Sequence, residues 1–180
     1  MRTYVAVFAS TAATAGLLYA YLGPPDKSDP ATSSSARPLT RPGVADPVAY
    51  RNADGYYFQT GDRLITCGIL DQAVGRQRHT AGCQGATAPA PPQVRYCWST
   101  DPAAAAVAVG DEAGYLCVNQ GFYTGPQTAP DDSGAGPVLP AGSSLTAHGF
   151  TCKAEADSVT CRNDEDGHGF EIAPDYNRVF

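Results

Sequence analysis

Six cysteines constrain this chain more than any other feature: Cys67, Cys83, Cys97, Cys117, Cys152 and Cys161. The number is even, and no two stand at the C-x2-C spacing that a structural zinc site uses. Three disulfides are therefore expected, and with them an oxidising compartment. Such staples suit the rest of the composition. Gly (19) and Pro (15) are too frequent for a helical bundle. Much of the 43% apolar content is Ala, which buries little area, so the core is thin. Six cysteines allow fifteen pairings. Strand geometry favours Cys152–Cys161 across a hairpin and Cys97–Cys117 across an Ala-rich segment, which leaves Cys67–Cys83.

The amino terminus carries an export pattern. Arg2 precedes an uncharged stretch from Thr3 to Gly23 that ends at Pro24-Pro25. Residues 1–22 are expected to be a signal peptide or a membrane anchor formed by one hydrophobic helix. Ala13-Thr14-Ala15 offers a cleavage rule. Tyr4–Leu22 meets the roughly 17–25 residues an uncleaved span needs, and length tips the balance toward the anchor. Tyr19 and Tyr21 would suit its outer interface. No Cys lies near this segment to take a lipid. Either way the remainder is expected outside the cytoplasm, with Arg2 on the inner side.

Residues 23–45 read as a flexible linker, with five Pro, four Ser and no aromatic. Residues 46–180 read as one extracytoplasmic domain with 8 basic and 16 acidic residues, a net charge of −8. Only Lys27 and Lys153 are lysines. This balance excludes a nucleic-acid surface and argues against binding to anionic lipid.

From Asp46 the chain reads as short strands between turns, an all-β, sandwich-like antiparallel domain stapled by three disulfides. Expected strands are Tyr56–Thr60, Arg63–Ile69, Gln93–Trp98, Ala106–Val109, Tyr115–Val118, Phe150–Ala154 and Ser158–Arg162. Gly169–Ile172 is expected to be the last. Asp101-Pro102 would start a short helix over Ala103–Ala106. Ala86–Pro92 is expected to be a stiff connector, and Thr124–Pro137 a solvated loop.

Across Tyr57–Phe180 the chain resembles a family of small secreted and lipoprotein domains of actinobacteria, of unknown function. Phe58–Cys67 takes the place of that family's aromatic and Ser-Pro-Ser-Gly-Asn-Ile-x-Cys run, without its Pro and with two residues inserted. Pro89–Cys97 takes the place of its Pro-rich step. Val138–Gly142 and Gly149-Phe150-Thr151-Cys152 are similar to its Leu…Gly and Phe-x-Cys steps. Val159-Thr160-Cys161-Arg162-Asn163 and Gly167-His168-Gly169-Phe170-Glu171-Ile172 match its Val-Thr-Cys…Gly-His-Gly-Phe close. The resemblance implies an extracytoplasmic, disulfide-linked β domain, and no activity.

Candidate site residues are few. There is no G-x-S-x-G elbow, and oxidised cysteines are not nucleophiles. His79 sits in a polar stretch and reads as a loop residue. His148 and His168 each precede Gly-Phe; paired strands would bring the two imidazoles together, while the plainer reading makes each a turn residue. Asp164 and Asp166 are the candidate carboxylates to go with them, an Asp such as Asp166 serving as orienter. Asn163–Gly167 followed by Glu171 departs from the calcium-loop spacing and reads as an acidic turn. Gly75, Gly82 and Gly85 form no phosphate loop. Tyr50, Tyr56 and Tyr57 are either a contact patch or, as favoured by strand propensity, packing residues. No cofactor or metal is expected. The leading expectation is a non-catalytic cell-envelope module binding another envelope protein or a wall polymer. The alternatives are an envelope hydrolase using His148 or His168, and an accessory structural subunit of a membrane complex.

Overall fold

The computed structural model describes residues 42–75, 78–98, 105–118, 121–127 and 134–180. The N-terminal helix, most of the linker and Asp101–Ala104 lie outside the described residues, as does the side chain of His79. The remainder is a sandwich of two sheets whose named strands all pair antiparallel. The first sheet is β1 (Arg51–Asn52), β2 (Gly55–Gln59), β3 (Ile65–Val74), β4 (His79–Gly85), β5 (Ala105–Val109) and β6 (Ala113–Cys117), in that order. The second is β7 (Ser144–Ala147), β8 (Phe150–Ala154), β9 (Val159–Asn163), β10 (Gly169–Ala173) and β11 (Tyr176–Val179), also sequential in space.

Alternation of side chains sets the two inner faces. Phe58, Cys67, Cys83 and Val107 are register partners across the first sheet. Leu145, Cys152, Cys161 and Phe170 are partners across the second. All eight belong to one buried cluster. Two disulfides lie within these rows: Cys67–Cys83 joins β3 to β4, and Cys152–Cys161 joins β8 to β9, each with Cα atoms 4.0 Å apart. That separation belongs to the closer, non-hydrogen-bonded kind of cross-strand pair. Each bond therefore fixes a register, and a one-residue slip would turn every core side chain outward.

The outer faces differ. That of the second sheet is polar, with a Thr146–Thr151 hydroxyl pair at 2.9 Å and an Arg178–Glu171 ion pair at 3.1 Å. The first sheet carries a lane of small residues there. Tyr57 is followed across the strands by Gly68, Gly82, Ala108 and Gly114. Tyr123 lies across this lane, and a Cβ at Gly82 would stand 2.4 Å from its ring. The Tyr123 backbone N–H donates to the Gln84 side chain at 2.9 Å. Its hydroxyl is buried with no hydrogen-bond partner among the described residues. Covered on both sides, β5 is buried at every position, which suits its Ala-Ala-Val-Ala-Val sequence.

Sheet edges are covered by local devices, as soluble β proteins require. At β6, α1 (Arg95–Trp98) is tied on by Cys97–Cys117, and the Trp98 indole N–H donates to the Leu116 carbonyl at 3.0 Å. At β7, Ser144 donates to the Gly43 carbonyl and accepts from Ala45, each at 2.8 Å. At β11, the Asn177 amide donates to the Pro89 carbonyl at 3.0 Å, and the Tyr115 phenol is hydrogen-bonded to the Val179 backbone. At the last edge β1 has only two residues, and Gln59 of β2 bonds both Pro137 and Leu139.

Several expectations are corrected. Gln93–Trp98 is no strand: Trp98 N–H donates to the Val94 carbonyl at 3.1 Å, closing one helical turn after Pro91-Pro92. Val94 and Trp98, four residues apart, are buried together while Tyr96 is 74% exposed, and over so short a run this pattern also reads as alternation. Ala105 and Ala106 open β5 instead of ending a helix. Gly169–Ile172 is not the last strand, because Pro174-Asp175 turns the chain into β11. Among the described residues the backbone bonds begin at Gly43, which with Ala45 pairs with Ser144. Thr124–Pro137 is no solvated loop at its described ends: Gly125, Gly134 and Ala135 are buried, and the Gln59 amide donates to the Gly136 carbonyl at 2.7 Å.

Replacing both Cys97 and Cys117 by Ala should cost about 3 kcal/mol through loop closure and uncover β6. Urea unfolding followed by Trp98 fluorescence checks this. A loss below about 0.5 kcal/mol would show that α1 holds to the edge without the bond.

Candidate functional site

The last part of β3 passes a register irregularity after Ile69 and projects Asp71, Gln72 and Ala73 into solvent. The Asp71 backbone N–H donates to the Asp54 carbonyl at 2.9 Å. Its carboxylate receives the Arg51 guanidinium as a two-point fork, at 2.6 and 2.7 Å. Arg51 reaches it from β1.

The third member comes from the other sheet. His148 and Gly149 form the two-residue turn between β7 and β8, with φ of 51° and 79°. A turn with both central residues left-handed matches the strand twist, and its usual first residue is Asn or Asp. A His in that conformation is costly without support. Support comes from Asp71, whose Oδ1 lies 3.0 Å from His148 Nε2. Tyr56 packs between the two side chains: the Arg51 guanidinium lies 5.0 Å over its ring, and the His148 imidazole meets it edge-on at 5.5 Å. Hydrogen bonds from Arg51, then His148, hold Asp71 well below the ordinary carboxylate value, at about 2. The group is solvent-exposed, so its importance is positional: it fixes one turn of the second sheet against the first.

Concavities adjoin this ionic group among the described residues. Asp71 lines a cleft of about 650 Å³, together with Asp54, Tyr57, Leu70, Gln72, Phe122, Thr124 and Pro126. His148 lines a second of about 380 Å³ with Arg78, Thr80, Asn163 and Glu165. Arg51 lines a third of about 320 Å³ with Tyr50 and Pro137. In the first cleft the buried Tyr57 phenol donates to Asp54 Oδ1 at 2.8 Å. Burial and that carboxylate push the Tyr57 phenol up, so it stays a donor.

His168 closes the turn between β9 and β10. Its backbone N–H donates to Asp166 Oδ1 at 2.9 Å, and its Nδ1 lies 3.2 Å from Oδ2. The bond from the His168 backbone, then that from its ring, lowers the Asp166 carboxyl. Asp164 ties the two His-bearing turns together, its N–H donating to the Gly149 carbonyl at 2.8 Å. Its carboxylate accepts from Thr151 at 2.9 Å and lies 3.5 Å from Arg162. The turns are thus joined, but the imidazoles meet different carboxylates. Of His148, His168, Asp164 and Asp166, only His148 lines the 380 Å³ concavity. Asp166 pairs with His168 as an orienter would, whereas His148 pairs with Asp71.

Arg51, Asp54, Asp71, Gln72 and Phe122 are not among the candidates named from sequence. Only the Asp54-Gly55 turn gave a local signal; the His148–Asp71 contact spans 77 positions and depends on how the sheets stack. Tyr50 and Tyr57 are packing residues, and Tyr56 is half-buried in the ionic group. The Asn163–Gly167 stretch is a turn closed by the Gly167 N–H to the Asn163 carbonyl at 3.0 Å. Among the described residues no group of three His, Cys, Asp or Glu side chains is placed to hold a metal. The chain matches no family model, no curated protein and no solved structure.

The Asp71 linkage has a defined sign. A carboxyl lowered from 3.8 to about 2 in the fold adds stability above its unfolded value and loses it as pH falls through 2. Carboxyl NMR should place the Asp71 midpoint near 2, and Arg51→Ala should raise it toward 3.8. An unchanged midpoint in R51A would remove Arg51 as the cause.

Proposed function

We propose that the domain is a binding module of the cell envelope, held outside the membrane by residues 1–22 and the Pro/Ser-rich linker, and that its partner is a wall polymer or another envelope protein. Three disulfides, two of them in the core, mark a chain that folds in an oxidising, extracytoplasmic environment. The resemblance to actinobacterial secreted domains supports the same setting. The observation that carries the reading is the 650 Å³ cleft, which combines polar acceptors with apolar wall and stands beside a rigid ionic group. A preformed concavity on a disulfide-locked sheet loses little order on binding.

A second reading has one observation in its favour. His148 and Asp71 form an imidazole–carboxylate pair, the orienting half of an acid–base site. In an envelope hydrolase His148 would be the base and Asp71, rather than Asp166, its orienter.

Full-length protein in mild detergent, mixed with isolated wall material and with membrane extract, separates the readings. The binding module should co-sediment with wall or retain an envelope protein, and His148→Ala should leave that binding within about twofold, because His148 does not line the cleft. Release of soluble wall fragments that is lost in H148A would establish the hydrolase instead.

A further inference from the structure

We infer that the cleft beside Asp54 binds a short stretch of an uncharged, polyhydroxylated wall glycan. The inference deepens the binding-module reading and rests on it.

The carboxylates of the cleft are not equivalent. Asp71 is saturated: both oxygens accept from Arg51, and Oδ1 also faces His148. Its charge is compensated, so it offers little to a cationic ligand. Asp54 is different. Its Oδ1 accepts from Tyr57, and its other oxygen has no partner among the described residues. Tyr57 is only 2% exposed, so the phenol that positions Asp54 is itself fixed by the core. The cleft therefore presents one pre-oriented, open carboxylate oxygen.

Around it stand groups of two kinds. Gln72 and Thr124 are neutral hydrogen-bonding side chains, while Leu70, Phe122 and Pro126 are apolar. A sugar ring has the matching arrangement: hydroxyls at its rim and C–H groups on its faces. Hydroxyls donate well to a carboxylate, a charge-assisted bond stronger than a neutral one. The C–H faces gain from leaving water against aliphatic and aromatic wall. About 650 Å³ lies within the usual range for small-ligand sites, roughly 300–1,000 Å³.

Other occupants fit less well. Phosphorylated or carboxylated polymers would meet Asp54 and a domain with 16 acidic against 8 basic residues. A peptide adding itself as a strand would find the described edges covered. Lone cations would find one open carboxylate oxygen and, among the described residues, no cage.

The test uses full-length protein in mild detergent. Probes are N-acetylglucosamine tetramer, maltotetraose and mannotetraose, with tetralysine as the cationic alternative and isolated wall material as the polymer. Binding is read by calorimetry and by amide shifts. Two variants are compared: Asp54→Asn, which keeps an acceptor for Tyr57, and Gln72→Ala at the exposed rim, with thermal unfolding confirming that each stays folded. At least one oligosaccharide should bind and shift Gln72, Phe122 and Thr124. D54N should weaken binding about tenfold, as loss of a charge-assisted bond does, and Q72A about threefold. Unchanged affinity in both variants overturns the site but leaves the module. Binding of tetralysine alone, or of wall without any oligosaccharide, overturns the ligand class. Failure to bind sugar and wall overturns the glycan site, and failure to retain an envelope protein from membrane extract as well overturns the module reading.

Discussion

The structure depends on two covalent cross-strand pairs placed inside the sandwich. Cys67–Cys83 and Cys152–Cys161 occupy the inward-facing row of one sheet each. A sandwich rich in Ala buries less apolar area per residue than one built from Leu and Phe, so packing alone specifies its register weakly. The disulfides supply that specification locally. Each joins directly opposed residues and limits the unfolded chain over a short loop. With both registers set, Phe58, Val107, Leu145 and Phe170 all face inward.

The same registration creates the outer lane. Because Cys67 and Cys83 face in, the next positions, Gly68 and Gly82, face out beside each other. A side chain at Gly82 would lift the Tyr123 ring off the sheet, and one at Gly68 would meet the Tyr57 ring. Tyr123 brings Phe122 and Thr124 with it, and these form one wall of the cleft. Asp54 and Asp71 form another, held by the bond between their backbones. The ionic group then ties that end of the first sheet to the His148 turn of the second. A strained His turn is kept because Asp71 and Tyr56 position its ring.

The sequence made some of this legible. An even cysteine count points to three disulfides, and alternation around Glu155–Ser158 points to the Cys152–Cys161 hairpin. The Ala106–Val109 and Tyr115–Val118 runs were legible as a hairpin because each is apolar and Gly110–Gly114 lies between them. Other strands were hidden by composition: β4 is His-Thr-Ala-Gly-Cys-Gln-Gly, and β11 is Tyr-Asn-Arg-Val. Glycine lowers strand propensity, but in β4 it is the space for Tyr123 that decides. The candidate site was least legible. His148 stands out in the sequence by its Gly-Phe neighbours, yet its carboxylate partner comes from a strand of the other sheet. No spacing rule relates residues 71 and 148.

Peptide mapping of the oxidised, unreduced protein tests this account most directly. Local registration predicts three linked pairs and no others: Cys67 with Cys83, Cys97 with Cys117, and Cys152 with Cys161. A peptide linking Cys67 or Cys83 to Cys152 or Cys161 would mean that the bonds join the sheets to each other and do not set the register within them, and would contradict the account.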